Sequence, residues 1–233
     1  MPDETHLNLL KLTGQGKAVN LEEFLTQVRQ RQLALATINH LHQTGLVSIA
    51  NGFLNMDVSQ RMMLAGRLIH EGRDPAKVSR ALEWQEFEKF ANDTLVENGF
   101  QTLKHFVFKA SSGRREIDVL AWNDNFILAI DCKHWHRGIS PHRLVLVAQA
   151  QTERVRALAK RPELLARAKI GDLARRSIMP IILTLCEAPK RSLDGVPIVS
   201  VAKLMNFLYG VSPIDDSILQ FHIENADEQS LLL

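Results

Sequence analysis

Two acids and a lysine stand within sixteen residues of one another, Asp118, Asp131 and Lys133, in the run REIDVLAWNDNFILAIDCKHW from Arg115 to Trp135. The run reads as two short strands joined by a tight turn at Asp124-Asn125. Along the second strand Ile127, Ala129, Asp131 and Lys133 share one face, and Phe126, Leu128, Ile130 and Cys132 share the other. With a two-residue turn, Asn123 pairs with Phe126, and Asp118 falls opposite Asp131 with Cβ atoms roughly 5 Å apart. A slip of one residue would send Asp118 to the other face. Facing carboxylates repel unless a positive charge lies between them, and a divalent cation with oxygen ligands is the usual answer. Lys133, about 6.7 Å further along the same face, is placed to hold or polarise a water beside such an ion. The competing reading is structural, with both acids ending strands and Lys133 pairing with one of them. The Ile, Val, Leu, Phe and Ala content of the strands favours burial, and a buried acid pair needs a reason.

The elements that must position these groups begin upstream. Asp74-Pro75 reads as an N-cap followed by proline at the first helical position, and a helix is expected from there to Asn98, ending at Gly99. Ala81, Trp84, Ala91 and Leu95 recur at helical spacing, and Glu88 lies inside that apolar stripe. Glu86, whose neighbours are Glu83, Lys89, Asp93 and Glu97, is assigned to the solvated face. Glu88 is therefore the acid expected to reach the hairpin.

The helix with E-F-E-x-F ending at Gly99-Phe100, a strand, then Glu116-Ile117-Asp118-Val119-Leu120-Ala121, a turn and Ile130-Asp131-Cys132-Lys133 together resemble the PD-(D/E)XK nuclease superfamily. The likeness is greatest to its restriction-endonuclease-like and archaeal Holliday-junction-resolvase-like members. It covers roughly residues 80 to 186 in the order helix, three strands, helix, strand. The resemblance implies that Asp118 and Asp131 are the metal-binding acids, Lys133 the catalytic lysine and Glu88 the helix glutamate that completes the site. The Cys132 carbonyl is a further ligand in that account, and Mg²⁺, with Mn²⁺ as a substitute, is the implied cofactor for phosphodiester hydrolysis. Ile117 stands where the superfamily is named for a proline. Some members also carry a Gln and a Tyr one turn apart in the following helix. Gln149 and Gln151 have no such tyrosine, Tyr209 being the sole one in the chain; an exposed polar helix face is the ordinary expectation for both, with a place facing the site as the alternative. His134 and His136 follow Lys133, but alternation sends Cys132 and His134 away from the acids, and no zinc-type ligand spacing is present.

Composition, with 233 residues and 45% hydrophobic content, allows one large or two small domains. The two cysteines, Cys132 and Cys186, fall in expected strands and read as buried thiols of a reducing compartment. The absence of a long apolar run or a leader pattern points to a cytoplasmic protein with no membrane partner. Net charge is only +2, but residues 138–176 hold nine Lys/Arg against three Asp/Glu, whereas residues 177–233 hold three against seven. Arg143, Arg154, Arg156 and Lys160 lie in the basic block, with Arg175 near its end, and suit contacts to DNA phosphates. RNA is an open alternative, as is a homodimer, since two sites would cut two strands.

The first third reads as a separate module, residues 1–74, before the domain of residues 75–233. Asn20-Leu21-Glu22-Glu23 opens a helical region, either one bent helix or two, that ends before Gly45. Asn51-Gly52 marks a hairpin, and Asp57 caps a helix closing near Gly72. Helices followed by a small hairpin are similar in topology to a winged helix, in which Arg29 and Arg31 would face nucleic acid. Dimerisation is the equal alternative. Beyond the basic block, Ile178 to Cys186 reads as a central strand despite Pro180, Val196 to Val201 as another, and Ala202 to Tyr209 as a terminal helix. The expected class is α/β: a restriction-endonuclease-like mixed sheet flanked by helices, preceded by the small, mainly helical domain. The competing function is a catalytically silent protein of that fold that binds nucleic acid or scaffolds an assembly.

Overall fold

The computed structural model describes residues 4–111, 113–133, 140–171, 173 and 176–223. They divide into two compact units, one reaching Phe90 and the other starting at Ala91.

The first unit opens with α1 (Thr5–Leu12), β1 (Val19–Asn20), α2 (Leu21–Thr26) and α3 (Arg31–Gln43). The span after Asn20 is thus two helices, and α1 was not anticipated from sequence. The Asn20 side chain accepts from the Glu23 N–H at 3.1 Å, which is the expected cap of α2. β2 (Ser48–Ala50) and β3 (Phe53–Asn55) form the expected hairpin, joined by β1 in the order β1-β3-β2. Asn51 and Gly52 both have positive φ, 51° and 78°, as a two-residue turn matching strand twist requires. A reciprocal cap starts α4 (Val58–His70): Asp57 Oδ1 accepts from the Gln60 N–H, and Gln60 Oε1 from the Asp57 N–H. Leu9, Leu10, Phe24, Ile38, Leu41, Leu54, Met62 and Leu64 are fully buried.

The helix expected from Pro75 to Asn98 is broken. α5 (Pro75–Ser79) and α6 (Trp84–Glu97) are separated by residues 80–83. Arg61 explains the break. This arginine is 0% exposed and donates to the carbonyl oxygens of Leu10 and Ala81, to Thr13 Oγ1, and to both carboxylate oxygens of Glu86. Turning Ala81's carbonyl to Arg61 removes it from a helical ladder. Glu86 Oε2 also accepts from the Glu83 N–H at 3.0 Å, so α6 starts afresh on its own cap. Glu86, assigned from its charged neighbours to the solvated face, is buried at 6% exposure.

The second unit is built on a mixed sheet. Its strands are β4 (Gln101–Ala110), β5 (Gly113–Trp122), β6 (Ile127–Lys133), β7 (Ser177–Thr184), β8 (Ser192–Leu193) and β9 (Val196–Ser200), in the order β4-β5-β6-β7-β9-β8, with β10 (Phe221–His222) also pairing β7. β4, β5 and β6 are mutually antiparallel, whereas β6, β7 and β9 run parallel. α7 (Pro141–Ala159) and α8 (Pro162–Arg167) connect β6 to β7, and α9 (Leu204–Gly210) follows β9. This is the α/β class expected, a mixed sheet flanked by helices. Every residue of β7 is buried. Pro180 is tolerated because β7 pairs β10 at Ser177 and Ile178 and β9 from Ile182 onward, so the far edge is unpaired at Pro180, where its missing N–H disrupts no ladder. The strand ends at Thr184, leaving Cys186 just beyond it.

α7 begins at Ser140, whose side chain accepts from the Arg143 N–H, with Pro141 in the first turn. Its buried positions are Leu144, Ala148, Gln151, Val155 and Leu158, alternating four and three apart, which is one helix face. Val155, Leu158 and Ala159 join Leu120, Trp122, Ile127, Ala129 and Ile178 in one apolar core. α7 is thereby held against the sheet face that carries Ile127 and Ala129, the face on which Asp131 follows.

Candidate active site

The β5–β6 hairpin adopts the register expected from its turn. Asn123 Oδ1 accepts from the N–H groups of Asn125 and Phe126, and the Asn123 N–H donates to the Phe126 carbonyl at 3.2 Å. The ladder then pairs Trp122 with Ile127, Ala121 with Leu128, Leu120 with Ala129 and Val119 with Ile130. The next step in that register is Asp118 against Asp131. There the backbone ladder stops and a side chain takes over: Asp118 Oδ2 accepts from the Cys132 N–H at 2.7 Å. On the other side of β5, the β4 ladder is continuous from Gln101–Trp122 to Ala110–Gly113 except opposite Asp118, where His105 stands at φ 53°. A positive φ outside glycine is uncommon, and here it coincides with the break in the β4–β5 ladder opposite the acid.

Asp131 is 2% exposed. Its two oxygens have different surroundings. Oδ1 accepts from Arg154 Nη1 at 2.9 Å. Lys133 Nζ lies 2.7 Å from Oδ2 at an angle outside hydrogen-bond geometry, so this buried oxygen has an ionic neighbour and no hydrogen bond. Arg154 in turn donates to Gln151 Oε1, and Gln151 Nε2 donates to the Ala129 carbonyl at 2.7 Å. Gln151 is 0% exposed, so the exposed helix face expected for Gln149 and Gln151 holds for Gln149 alone. The signal was present in the sequence: Gln151 occupies the apolar stripe of α7 just as Glu88 occupies that of α6. Lys133 and Arg154 place two positive charges from the chain itself beside Asp131, the Lys133 contact being the pairing named in the competing structural reading.

Among the described residues, no three His, Cys, Asp or Glu side chains converge on a point suited to a metal ion. The donors on the hairpin are the carboxylates of Asp118 and Asp131. They are hard oxygens, the donor type that fits a hard cation keeping much of its own water, and the Lys133 ammonium stands 2.7 Å from Asp131 Oδ2 beside them. Glu88 is buried in α6 and accepts from Trp84 Nε1.

Of the basic residues, Arg143 and Lys160 are exposed at the two ends of α7. Arg156 pairs with Glu153 and stacks 5.5 Å from the centre of the Phe221 ring. Arg154 is turned inward to Asp131. In the first unit Arg29 is exposed between α2 and α3, and Arg31 pairs with Glu22 at 2.6 Å. His134, His136 and Arg175 lie outside the described residues. Cys132 is buried and reduced, and burial pushes the Cys186 thiol up to about 11. The Arg161 side chain bonded to Glu163 holds that carboxyl below its usual range. No helix among the described residues is long and apolar enough to cross a membrane.

Residues 79–163, which contain α6, the acid hairpin and all of α7, match the Mrr_cat family of restriction endonuclease domains. The match supports the PD-(D/E)XK nuclease superfamily and a nuclease-type function, with nucleic acid as the substrate class. An uncharacterized protein of Archaeoglobus fulgidus is 28% identical over 127 residues, spanning 54% of this chain and 90% of its own. A crystal structure of a protein of unknown function, AF1548, aligns over 63% of this chain and 76% of its own with a TM-score of 0.35 and 17% identity.

Proposed function

We propose that the second unit is a metal-dependent endonuclease that hydrolyses DNA phosphodiester bonds, selecting its substrate by structure or context. One observation carries the reading: the end of the β5–β6 hairpin presents Asp118, Asp131 and Lys133 together, with Asp118 held by the Cys132 N–H and the Lys133 ammonium 2.7 Å from the buried Asp131 carboxylate. Asp118 and Asp131 would hold Mg²⁺ or Mn²⁺. The Cys132 carbonyl is a third donor, because the N–H and C=O of a strand residue leave the same edge and the N–H already meets Asp118. Glu88 is the remaining acid of the set. When bound, the ion lowers the pKa of its water and neutralises phosphate oxygens. Lys133, a quarter exposed, offers its ammonium to the attacking water or to the developing negative charge. Asp118, fixed by the Cys132 N–H, keeps its carboxylate aimed without a rotamer search.

The exposed Arg143 and Lys160, with Arg156, are proposed as phosphate contacts, and Arg154 adds positive potential beside the acids. The element order of the first unit, helix, strand, two helices and hairpin, supports a winged-helix-like reading in which Arg29 and Arg31 meet nucleic acid. A homodimer would bring two such sites to two strands. A second reading has support of its own. Lys133 and Arg154 already balance Asp131, as in a site that binds nucleic acid without turnover.

The test is cleavage of labelled linear, single-stranded, flapped and four-way DNA, and of RNA, in Mg²⁺ or Mn²⁺, with Asp131→Asn and Lys133→Ala beside wild type. Metal-dependent cutting lost in both variants is the expected result. Binding without cutting in wild type selects the silent alternative.

A further inference from the structure

We propose that Arg154, locked in place by Gln151, is a positioning residue that fixes the Asp131 carboxylate with Oδ2 toward Lys133 and holds the affinity of the site for a divalent cation low. The inference rests on the nuclease reading and assigns a regulator of its metal site.

The unequal oxygens of Asp131 come first. A carboxylate free to rotate offers either oxygen, or both, to a cation. Here Oδ1 is taken by a charge-assisted hydrogen bond from Arg154 at 2.9 Å, while Oδ2 has the Lys133 ammonium 2.7 Å away as an ionic neighbour and no hydrogen bond. Arg154 itself is not free to wander. Its guanidinium donates to Gln151 Oε1, and Gln151 is anchored through its own amide to the Ala129 carbonyl of β6, two residues before Asp131. Both ends of the Gln151 amide are therefore committed, one to the strand that carries the acid and one to the arginine that orients it. A glutamine in the buried stripe of α7 is otherwise a poor choice, since burying an amide is unfavourable unless both ends are bonded.

The charges add a second consequence. Asp118 and Asp131 contribute two negative charges, and Lys133 and Arg154 contribute two positive ones, so the four groups sum to zero. Even with the proposed Glu88 adding one negative charge, a dication gains less electrostatically there than it would at the acids without the two cations. One cation on Asp131 would suffice to neutralise it. The second makes the site weak, which lets the ion arrive with the phosphate charges of a bound strand and not before.

The experiment titrates Mn²⁺ into the full chain without nucleic acid, following electron paramagnetic resonance of the free ion, for wild type, Asp131→Asn, Arg154→Gln, Arg154→Lys and Gln151→Leu. Cleavage is followed in parallel as a function of metal. Arg154→Gln is expected to bind Mn²⁺ at least about tenfold more tightly while turning over more slowly at saturating metal. Arg154→Lys, which keeps the charge, is expected to remain within about threefold of wild type in affinity. Gln151→Leu suits the apolar stripe and reports if Arg154→Gln does not fold; it should tighten binding by about two- to fivefold as Arg154 loses its anchor. Unchanged or weaker Mn²⁺ binding in the folded Arg154→Gln chain overturns the inference. So does a variant whose metal affinity is that of wild type but whose DNA affinity drops, which would make Arg154 a phosphate contact. Wild type that neither binds Mn²⁺ through Asp131 nor cuts any substrate sinks the nuclease reading itself, a result distinct from loss of the Arg154 effect in a chain that does both.

Discussion

The Cys132 N–H donates to Asp118 Oδ2 at 2.7 Å across the last step of the β5–β6 hairpin. A side chain thus replaces a backbone acceptor where the two strands would otherwise continue to pair. The bond orients the carboxylate and satisfies an N–H in a fully buried residue at the same time.

Asp118→Asn retains an acceptor for that N–H and removes the charge. The chain is expected to unfold at a denaturant concentration close to wild type while cleavage falls by roughly 10²-fold or more. Asp118→Ala also strands the Cys132 N–H and should lose a further ~1–3 kcal/mol of stability. Paired urea titrations and single-turnover assays separate the two effects. Equal cleavage by Asp118→Asn and wild type would remove Asp118 from the site.

Asp131 has a structural share that its strand position alone does not reveal. Asp131→Ala leaves Arg154 and Lys133 as like charges beside a buried cavity. A loss of ~3–5 kcal/mol is expected, the range for breaking one partner of a buried pair. Thermal unfolding of Asp131→Ala against the double variant Asp131→Ala/Arg154→Ala checks this, since removing the stranded charge should restore part of the loss.

In the first unit, Arg61 joins Leu10, Thr13, Ala81 and Glu86 with no exposure to solvent. Arg61→Ala leaves the Glu86 carboxylate buried and unpaired, and a loss of ~3–5 kcal/mol is expected. Arg67→Ala, whose partner Glu71 is exposed, should change stability by less than ~0.5 kcal/mol. Chemical denaturation of the two variants side by side decides whether Arg61 is the tie inferred from its contacts.

Arg143 and Lys160 are exposed, so alanine at either should weaken DNA binding similarly for all sequences and lower the salt slope by about one per residue. Binding isotherms across a range of KCl concentrations give the slope. An unchanged slope would assign both residues to ordinary solvation of the helix.

Cys186 has its thiol raised to about 11 by burial. Its thiolate fraction at pH 8 is about one in a thousand, so alkylation should be slow there and accelerate roughly tenfold per pH unit toward 11. Since the folded state keeps the proton more tightly than the unfolded state, the stabilising contribution is complete below the unfolded thiol's pKa. It is lost as pH rises toward 11. Rates with an uncharged alkylating reagent from pH 7 to 10 test this, and fast reaction at pH 7 would contradict it.

The hairpin register is legible in the amino-acid order, because a two-residue turn and a strict alternation together leave one pairing that keeps Ile127 and Ala129 on a buried face. The caps at Asn20, Asp57 and Asp74 are local in the same way: donor and acceptor lie within three residues. What local order could not decide was which polar groups are buried together. Glu86 sits among charged neighbours in sequence, yet its partner Arg61 is 25 residues away. Arg154 reaches Asp131 from 23 residues away, and only the packing of α7 on the sheet brings Gln151 beneath the Ala129 carbonyl. Periodicity marks Gln151 and Glu88 as anomalies in apolar stripes, but it carries no information about the partner. Sequence alone therefore determined the strands and the acids they carry, because turns and alternation act over a few residues. The tertiary structure decided which charges neutralise those acids, because burial becomes tolerable only where a distant side chain supplies the matching donor.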